Sequence, residues 1–328
     1  ALCNKFLKDI VLCIHLVKDG MQKTSQKKEI WERHKEVSIN WKHYDESRLS
    51  ECKRILDLTE VFHELDKPVQ RRELKLSHLT ILLLFKILFG LSYRGIANAA
   101  NDLKIYQALG MRRAPCYKTI QNTMAYLDEC VLAQINRLFL PSSIVLGGID
   151  SSGLKTHRKG AWIQIRFHRY QQTKDFKKVH IFVDLISKKI IHCLVTKGTA
   201  SDHKQLKKIL KECDWLRVDI ILGDKGYDTR ECFNEITNHG SIPGIKVRKN
   251  ASRKAHGCPS RRKAVIAQQQ DIESWKRKVQ ATMRCVAEAI FSGTKRRFGE
   301  YFFSIKARFR AVEIWLRTIL WNVLIYSR

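Results

Sequence analysis

The stretch Val218–Asp228, VDIILGDKGYD, decides how the second half of the chain is read. Four of its first five residues are apolar, which marks a buried strand, and it runs out at Gly223 and Asp224. A second run, IVLGGID (144–150), ends the same way at Asp150. A carboxylate at the end of a buried strand is held rigidly at the edge of the sheet, where a ligand reaches it. On neighbouring strands, Asp150 and Asp224 would converge and repel unless a cation lay between them. Hard divalent ions take such oxygen ligands, Mg²⁺ above all. Taken singly, either acid reads better as a turn or cap residue, and it is the two together on so basic a chain that favour chemistry. Two rivals lie close by. Asp184 sits in a hairpin strand and is expected to face solvent, and Asp228 is expected to start the following helix, DTRECFNEI.

The rest of the chain bears on the choice. It has 61 Lys and Arg against 32 Asp and Glu, a net charge of +29, spread from end to end. That much self-repulsion points to a polyanionic partner, and nucleic acid is the natural one. Ten scattered cysteines without a CxxC pair, and no signal peptide ahead of them, indicate free thiols in a reducing cytoplasm. His256–Cys258, HGC, lacks a second zinc half-site and reads as a loop. The longest apolar run, LTILLLFKILFGL (79–91), is too short for a membrane span and contains Lys86, so a buried helix is expected and no membrane partner. The first methionine is Met21, which suggests a start upstream of Ala1 or a fragment.

Residues 1–140 read as mostly helical, and residues 22–50 as a charged arm or linker. MRRAPCYKTIQNTM (111–124) sets a basic turn and a proline before a helix carrying Tyr117, Lys118 and Gln121. That suits the second helix of a helix-turn-helix within about 93–127, with Lys118 on DNA; an ordinary helical hairpin fits as well. After PSS (141–143) the pattern becomes strand, strand (AWIQIRFHRYQ, 161–171), hairpin (VHIFVDLI, SKK, IIHCLVT), helix (DHKQLKKILKEC), then VDIILGD and a further strand in IPGIKVRK. Asp202 is placed to cap that helix. The segment KVRKNASRKAHGCPSRRKAV (246–265) reads as a basic loop able to track a phosphate backbone through Arg248 and Lys249. From Asp271 onward the chain reads as helical.

A third acid belongs in that helical end. MRCVAEAIFSGTKRRFG places Arg284, Glu288 and Lys295 four and seven residues apart, which is one stripe of a helix. In isolation, a glutamate flanked by cations is more often a surface ladder, and Gly293 weakens the helix there. Among Asp271, Glu273, Glu288, Glu300 and Glu313, only Glu288 has both an apolar flank and cations on its own stripe.

Together, GGIDSSGLK, GDKGYD and R-CVA-E-AIFSGT-K resemble the three blocks of DDE transposases from bacterial and archaeal insertion sequences. Their largest group reads Tyr, two residues, Arg, three, Glu, six, Lys. Arg284, Glu288 and Lys295 match this, whereas Ala281 stands at the tyrosine position. The resemblance covers about 145–328. It implies an α/β, ribonuclease-H-like mixed sheet flanked by helices in 141–328, preceded by the helical DNA-binding region. It further implies a metal triad of Asp150, Asp224 and Glu288 holding Mg²⁺ (Mn²⁺ as substitute), with two ions, and Arg284 and Lys295 gripping phosphates. The activity implied is binding of terminal inverted repeats, cleavage and strand transfer into target DNA, by a homodimer on double-stranded DNA in the cytoplasm, on the nucleoid. Two other classes fit the same residues: a DNA-binding protein derived from a transposase without catalysis, and a ribonuclease-H-type nuclease that cuts without joining.

Overall fold

A computed structural model describes residues 48–66, 74–156 and 176–325. The strand expected over 161–171 and nearly all of the charged arm lie outside the described residues. Contacts divide the chain into two compact units, the described part of 1–127 with 323–328, and 128–322.

The first unit is helical, as expected: α1 (Arg48–Val61), a 3₁₀ turn (Phe62–Asp66), α2 (Leu76–Phe89), α3 (Tyr93–Asp102), α4 (Ile105–Ala108) and α5 (Tyr117–Tyr126). Twelve residues of α2 are buried, because α1, α3 and α5 all pack against it. A helix apolar on every side is the centre of such a cluster. Lys86 is accommodated with its ammonium over the Tyr93 ring, 4.7 Å from the centroid. Gly90 ends α2 in the left-handed conformation, φ 63°, which only glycine adopts at little cost. Among the described residues no single helix is long and apolar enough to cross a membrane.

The second unit opens with α6 (Glu129–Arg137), which packs on strand β3, so the unit begins at Asp128. Its five strands are β1 (Ser143–Lys155), β2 (Phe176–Asp184), β3 (Ile190–Lys197), β4 (Arg217–Gly223) and β5 (Ile242–Ile245), in the spatial order β3-β2-β1-β4-β5. β3, β2 and β1 are antiparallel neighbours, while β1–β4 and β4–β5 are parallel. The helices are α7 (Asp202–Glu212), α8 (Arg230–Asn238), α9 (Pro259–Gln270), α10 (Ile272–Val279), α11 (Cys285–Phe298) and α12 (Ala307–Ile325). This is the mixed, helix-flanked sheet of the ribonuclease-H-like class.

The period of two along β1 decides what lies on each side. Ile149 belongs to the cluster that α7 and α8 close with Leu206, Ile209 and Phe233. On the opposite face Leu154 and Ile181 meet Phe291 of α11 and Ile314 of α12. Gly293 lies inside α11 for a packing reason. A Cβ there would fall 2.6 Å from the Trp321 ring, so the glycine lets α11 and α12 approach.

Several local expectations are corrected. β1 does not stop at Asp150 but pairs with β2 as far as Lys155. Asp184 is buried and closes the β2–β3 turn, accepting from the Ile186 amide and the Ser187 hydroxyl. Helix α8 begins at Arg230 with Thr229 as its cap, not at Asp228. The 246–265 segment is a loop only to Cys258, because Pro259 starts a helix. The helical end is interrupted between Phe298 and Ala307, where Gly299 adopts φ 88°.

Candidate active site

The β1–β4 register pairs Gly148 with Leu222. β4 ends at Gly223, so the register carried on by two residues brings Asp150 and Asp224 to the same end of the pair. Equal offsets in a parallel pair put both side chains on one face, the face covered by α11. Each aspartate uses Oδ1 to accept from a nearby backbone amide, Asp150 from Ser151 at 2.8 Å and Asp224 from Gly226 at 2.9 Å. Those bonds fix the carboxylates close to the main chain.

α11 carries the third candidate acid. Glu288, in its first turn, is exposed and pairs with Arg284 at 2.5 Å. About two turns further on, Lys295 donates to Ser152 Oγ at 2.6 Å, two residues beyond Asp150 on β1. Helix and strand are thus tied together beside the acids.

The electrostatics of Asp150 show that the groups share one neighbourhood. Burial pushes its carboxyl up, the Ser151 amide and the Arg284 guanidinium pull it down, and Asp224 and Glu288 push it up again. Two further carboxylates and one cation therefore act on Asp150. Among the described residues no three His, Cys, Asp or Glu side chains converge tightly enough to hold a metal as they stand. Glu288 faces Arg284, and joining the aspartates would require it to leave that partner. The donor set still fits a hard divalent ion: all oxygen, mutually repelling and on rigid elements.

The rival acids are otherwise engaged. Asp228 is fully buried, receives Arg261 through two bonds (2.7 and 3.1 Å) and accepts from the Arg248 amide at 2.9 Å. It anchors the basic segment to β4. Asp271 caps α10, and Glu273 pairs with Lys276. Glu313 is buried against Arg317 and accepts from the Phe303 and Ser304 amides, holding the 299–306 connection. Glu300 is exposed, 3.8 Å from Lys155.

Of the DNA-contact candidates, Arg248 and Lys249 are exposed just past β5, and Lys118 is exposed on α5 of the other unit, following exposed Arg112 and Arg113. Sequence reasoning missed Ser151, Ser152 and Lys178, and it gave Asp202 a different role. Asp202 caps nothing. It is the first residue of α7, and its carboxylate turns to the sheet, where it meets Ser151 and Lys178. The serines were findable in principle, since residues one and two beyond a strand acid fall on opposite faces of the same strand.

Comparison with known proteins supplies the rest. No curated protein matches the chain. Among solved structures, a cryo-EM structure of the piggyBac transposase synaptic complex with hairpin DNA is a distant likeness. Its TM-score is 0.38 at 11% identity, over 85% of this chain and 72% of that one. The family model described as Transposase DDE domain matches residues 141–323, more than half of the chain and nearly all of the sheet-bearing unit. The chain belongs to the transposase DDE domain family.

Proposed function

We propose that this protein is an insertion-sequence transposase that binds the terminal inverted repeats of its element, cleaves them and joins the 3′ ends to target DNA. The single observation carrying the reading is that Asp150 and the end of β4 at Asp224 share one face of the β1–β4 pair beneath α11, which carries Glu288 and is tied to β1 by the Lys295–Ser152 bond. In this reading Asp150, Asp224 and Glu288 would hold divalent metal. Mg²⁺ or Mn²⁺, as a pair of ions, would supply an activated water and neutralise the leaving oxygen of the phosphodiester. The two aspartates hold their carboxylates side by side. Glu288 completes the set once Arg284 turns to a phosphate. Arg284 and Lys295 then flank the acids as cations for the backbone on either side of the cut. Arg248 and Lys249 extend the basic track, and Lys118 belongs to a helix-turn-helix that contacts the repeat. A homodimer would hold the two ends together.

A duplex carrying the DNA that flanks the gene, incubated with protein, Mg²⁺ and a supercoiled target plasmid, tests the proposal. Cleaved ends joined to the plasmid are expected. Cleavage without joining would favour a nuclease, and binding without cleavage a DNA-binding derivative.

A further inference from the structure

The face of β1 opposite the candidate acids carries a polar cluster that the proposed chemistry does not use. Antiparallel register sets Ser151 across from His180 and Gly153 across from Lys178, all on the side covered by the start of α7. There the Asp202 carboxylate is the common acceptor. Ser151 Oγ donates to Oδ1 at 2.8 Å, and Lys178 Nζ lies 2.9 Å from Oδ1 and 3.2 Å from Oδ2. Lys178 also donates to the Ala200 carbonyl, holding the turn into α7. The His180 ring is buried with Nδ1 3.5 Å from the same oxygen, but burial lowers its pKa to about 4, so it stands there as a neutral ring and not as an ion-pair partner. Tyr227, three residues beyond Asp224, is buried nearby. Its phenol is pushed up by burial first and then by Asp202, Asp150 and Asp224, so Asp202 lies within the same field as the two aspartates.

Such a group is placed to act on Asp150 through the strand. Asp150 takes its own hydrogen bond from the amide of Ser151, the residue whose side chain Asp202 holds. We propose that Asp202 is a positioning residue: by accepting from Ser151 and pairing with Lys178 it fixes β1 next to Asp150 and so sets the orientation in which that carboxylate meets metal. This inference rests on the reading of Asp150 as a metal ligand. Partners one shell behind a metal ligand commonly govern affinity by ten- to a hundred-fold, which sets the scale.

The test is Mn²⁺ binding to the full chain, measured by the loss of the free-ion EPR signal, with melting temperature followed in parallel. Asp202→Ala and Ser151→Ala are each expected to weaken Mn²⁺ binding about ten-fold. The double variant is expected to be little worse than either single one, because both remove one interaction. Ser151→Ala removes a single oxygen and keeps the test open if Asp202→Ala folds poorly. Lowered melting temperatures with unchanged Mn²⁺ affinity in both variants would make Asp202 structural only and overturn the proposal, as would additive losses. Asp150→Asn separates the two levels. If it leaves Mn²⁺ binding intact, the metal-site reading fails; if it abolishes binding while Ser151→Ala and Asp202→Ala do not weaken it, only the role of Asp202 fails.

Discussion

Lys295 on α11 donates to Ser152 on β1 at 2.6 Å, on the strand face that also carries Asp150. The bond holds a cation beside the candidate acids, where a phosphate would replace the serine. For the wild type, log affinity for duplex DNA is expected to fall by several units per unit of log salt, at about 0.9 per phosphate neutralised. Lys295→Ala should lower that slope by about one and weaken binding to all sequences alike. A flat wild-type titration, or an unchanged slope in the variant, would show that these cations serve something other than DNA.

Asp228 is the acid most easily mistaken for a ligand, since it lies four residues after Asp224. Its pairing with Arg261 is buried, with no exposure of the aspartate side chain and 15% for the arginine. Removing one partner of such a pair leaves the other uncompensated, at a cost of about 3 kcal/mol. Asp228→Ala should therefore lower stability by that order in urea unfolding while leaving Mn²⁺ affinity of the folded protein unchanged. Wild-type stability with lost metal binding would reverse the assignment.

Gly293 offers a test of helix packing that runs against helix propensity. Glycine to alanine inside an exposed helix gains about 1 kcal/mol. Here the added Cβ meets the rigid Trp321 ring at 2.6 Å, and overpacking of that kind costs about 1–3 kcal/mol. Gly293→Ala is expected to be net destabilising, and Gly293→Ala with Trp321→Phe to recover most of the loss. A stabilised single variant would mean that α11 and α12 do not pack this closely.

His192 gives the fold an acid limit. It is buried edge-on to Trp315, and burial, then Lys208 and Arg137, lower its pKa to about 4. Glu212 lies 3.6 Å away but is half exposed and does not outweigh those effects. Above pH 6.5 the ring is neutral folded or unfolded. Between pH 6.5 and about 4 the unfolded chain takes up a proton that the folded one refuses, so stability falls with acid, by roughly 3 kcal/mol over the window. His192→Gln should flatten that part of the pH profile. An identical slope in the variant would place the acid sensitivity elsewhere.

How much of this was legible in the sequence follows from the range of the signals. Runs such as VDIILG and IVLGG announce strands because most of their residues are buried, with only Asp219 and Val145 exposed, and α2 announced itself by being apolar on all sides. Glu288 stood out because helical period joins it to Arg284. What failed were inferences about polar residues near element ends. Asp184, Asp202 and Asp228 were each assigned by the element they adjoin, yet Asp202 and Asp228 pair across the sheet or dozens of residues away (with Lys178 and Arg261), and Asp184 turns inward to the Ile186 amide and Ser187 hydroxyl of its own turn. Hydrophobic period carries no record of such pairings. Gly293 misled for the same reason, since its cause is the ring of Trp321 on another helix.

The measurement closest to the central claim is Mg²⁺-dependent cleavage of duplex carrying the element's ends by Asp150→Asn, Asp224→Asn and Glu288→Gln, with Glu300→Gln beside them and gel shifts of the same DNA. Each amide keeps the shape of its acid and removes the charge that would hold metal. The first three variants are expected to shift the DNA like wild type and to leave it uncut, while Glu300→Gln, from the exposed break after α11, cleaves normally. Normal cleavage by Asp150→Asn, Asp224→Asn or Glu288→Gln, or a Glu300→Gln that binds but does not cut, would contradict the assignment of these three acids as the catalytic set.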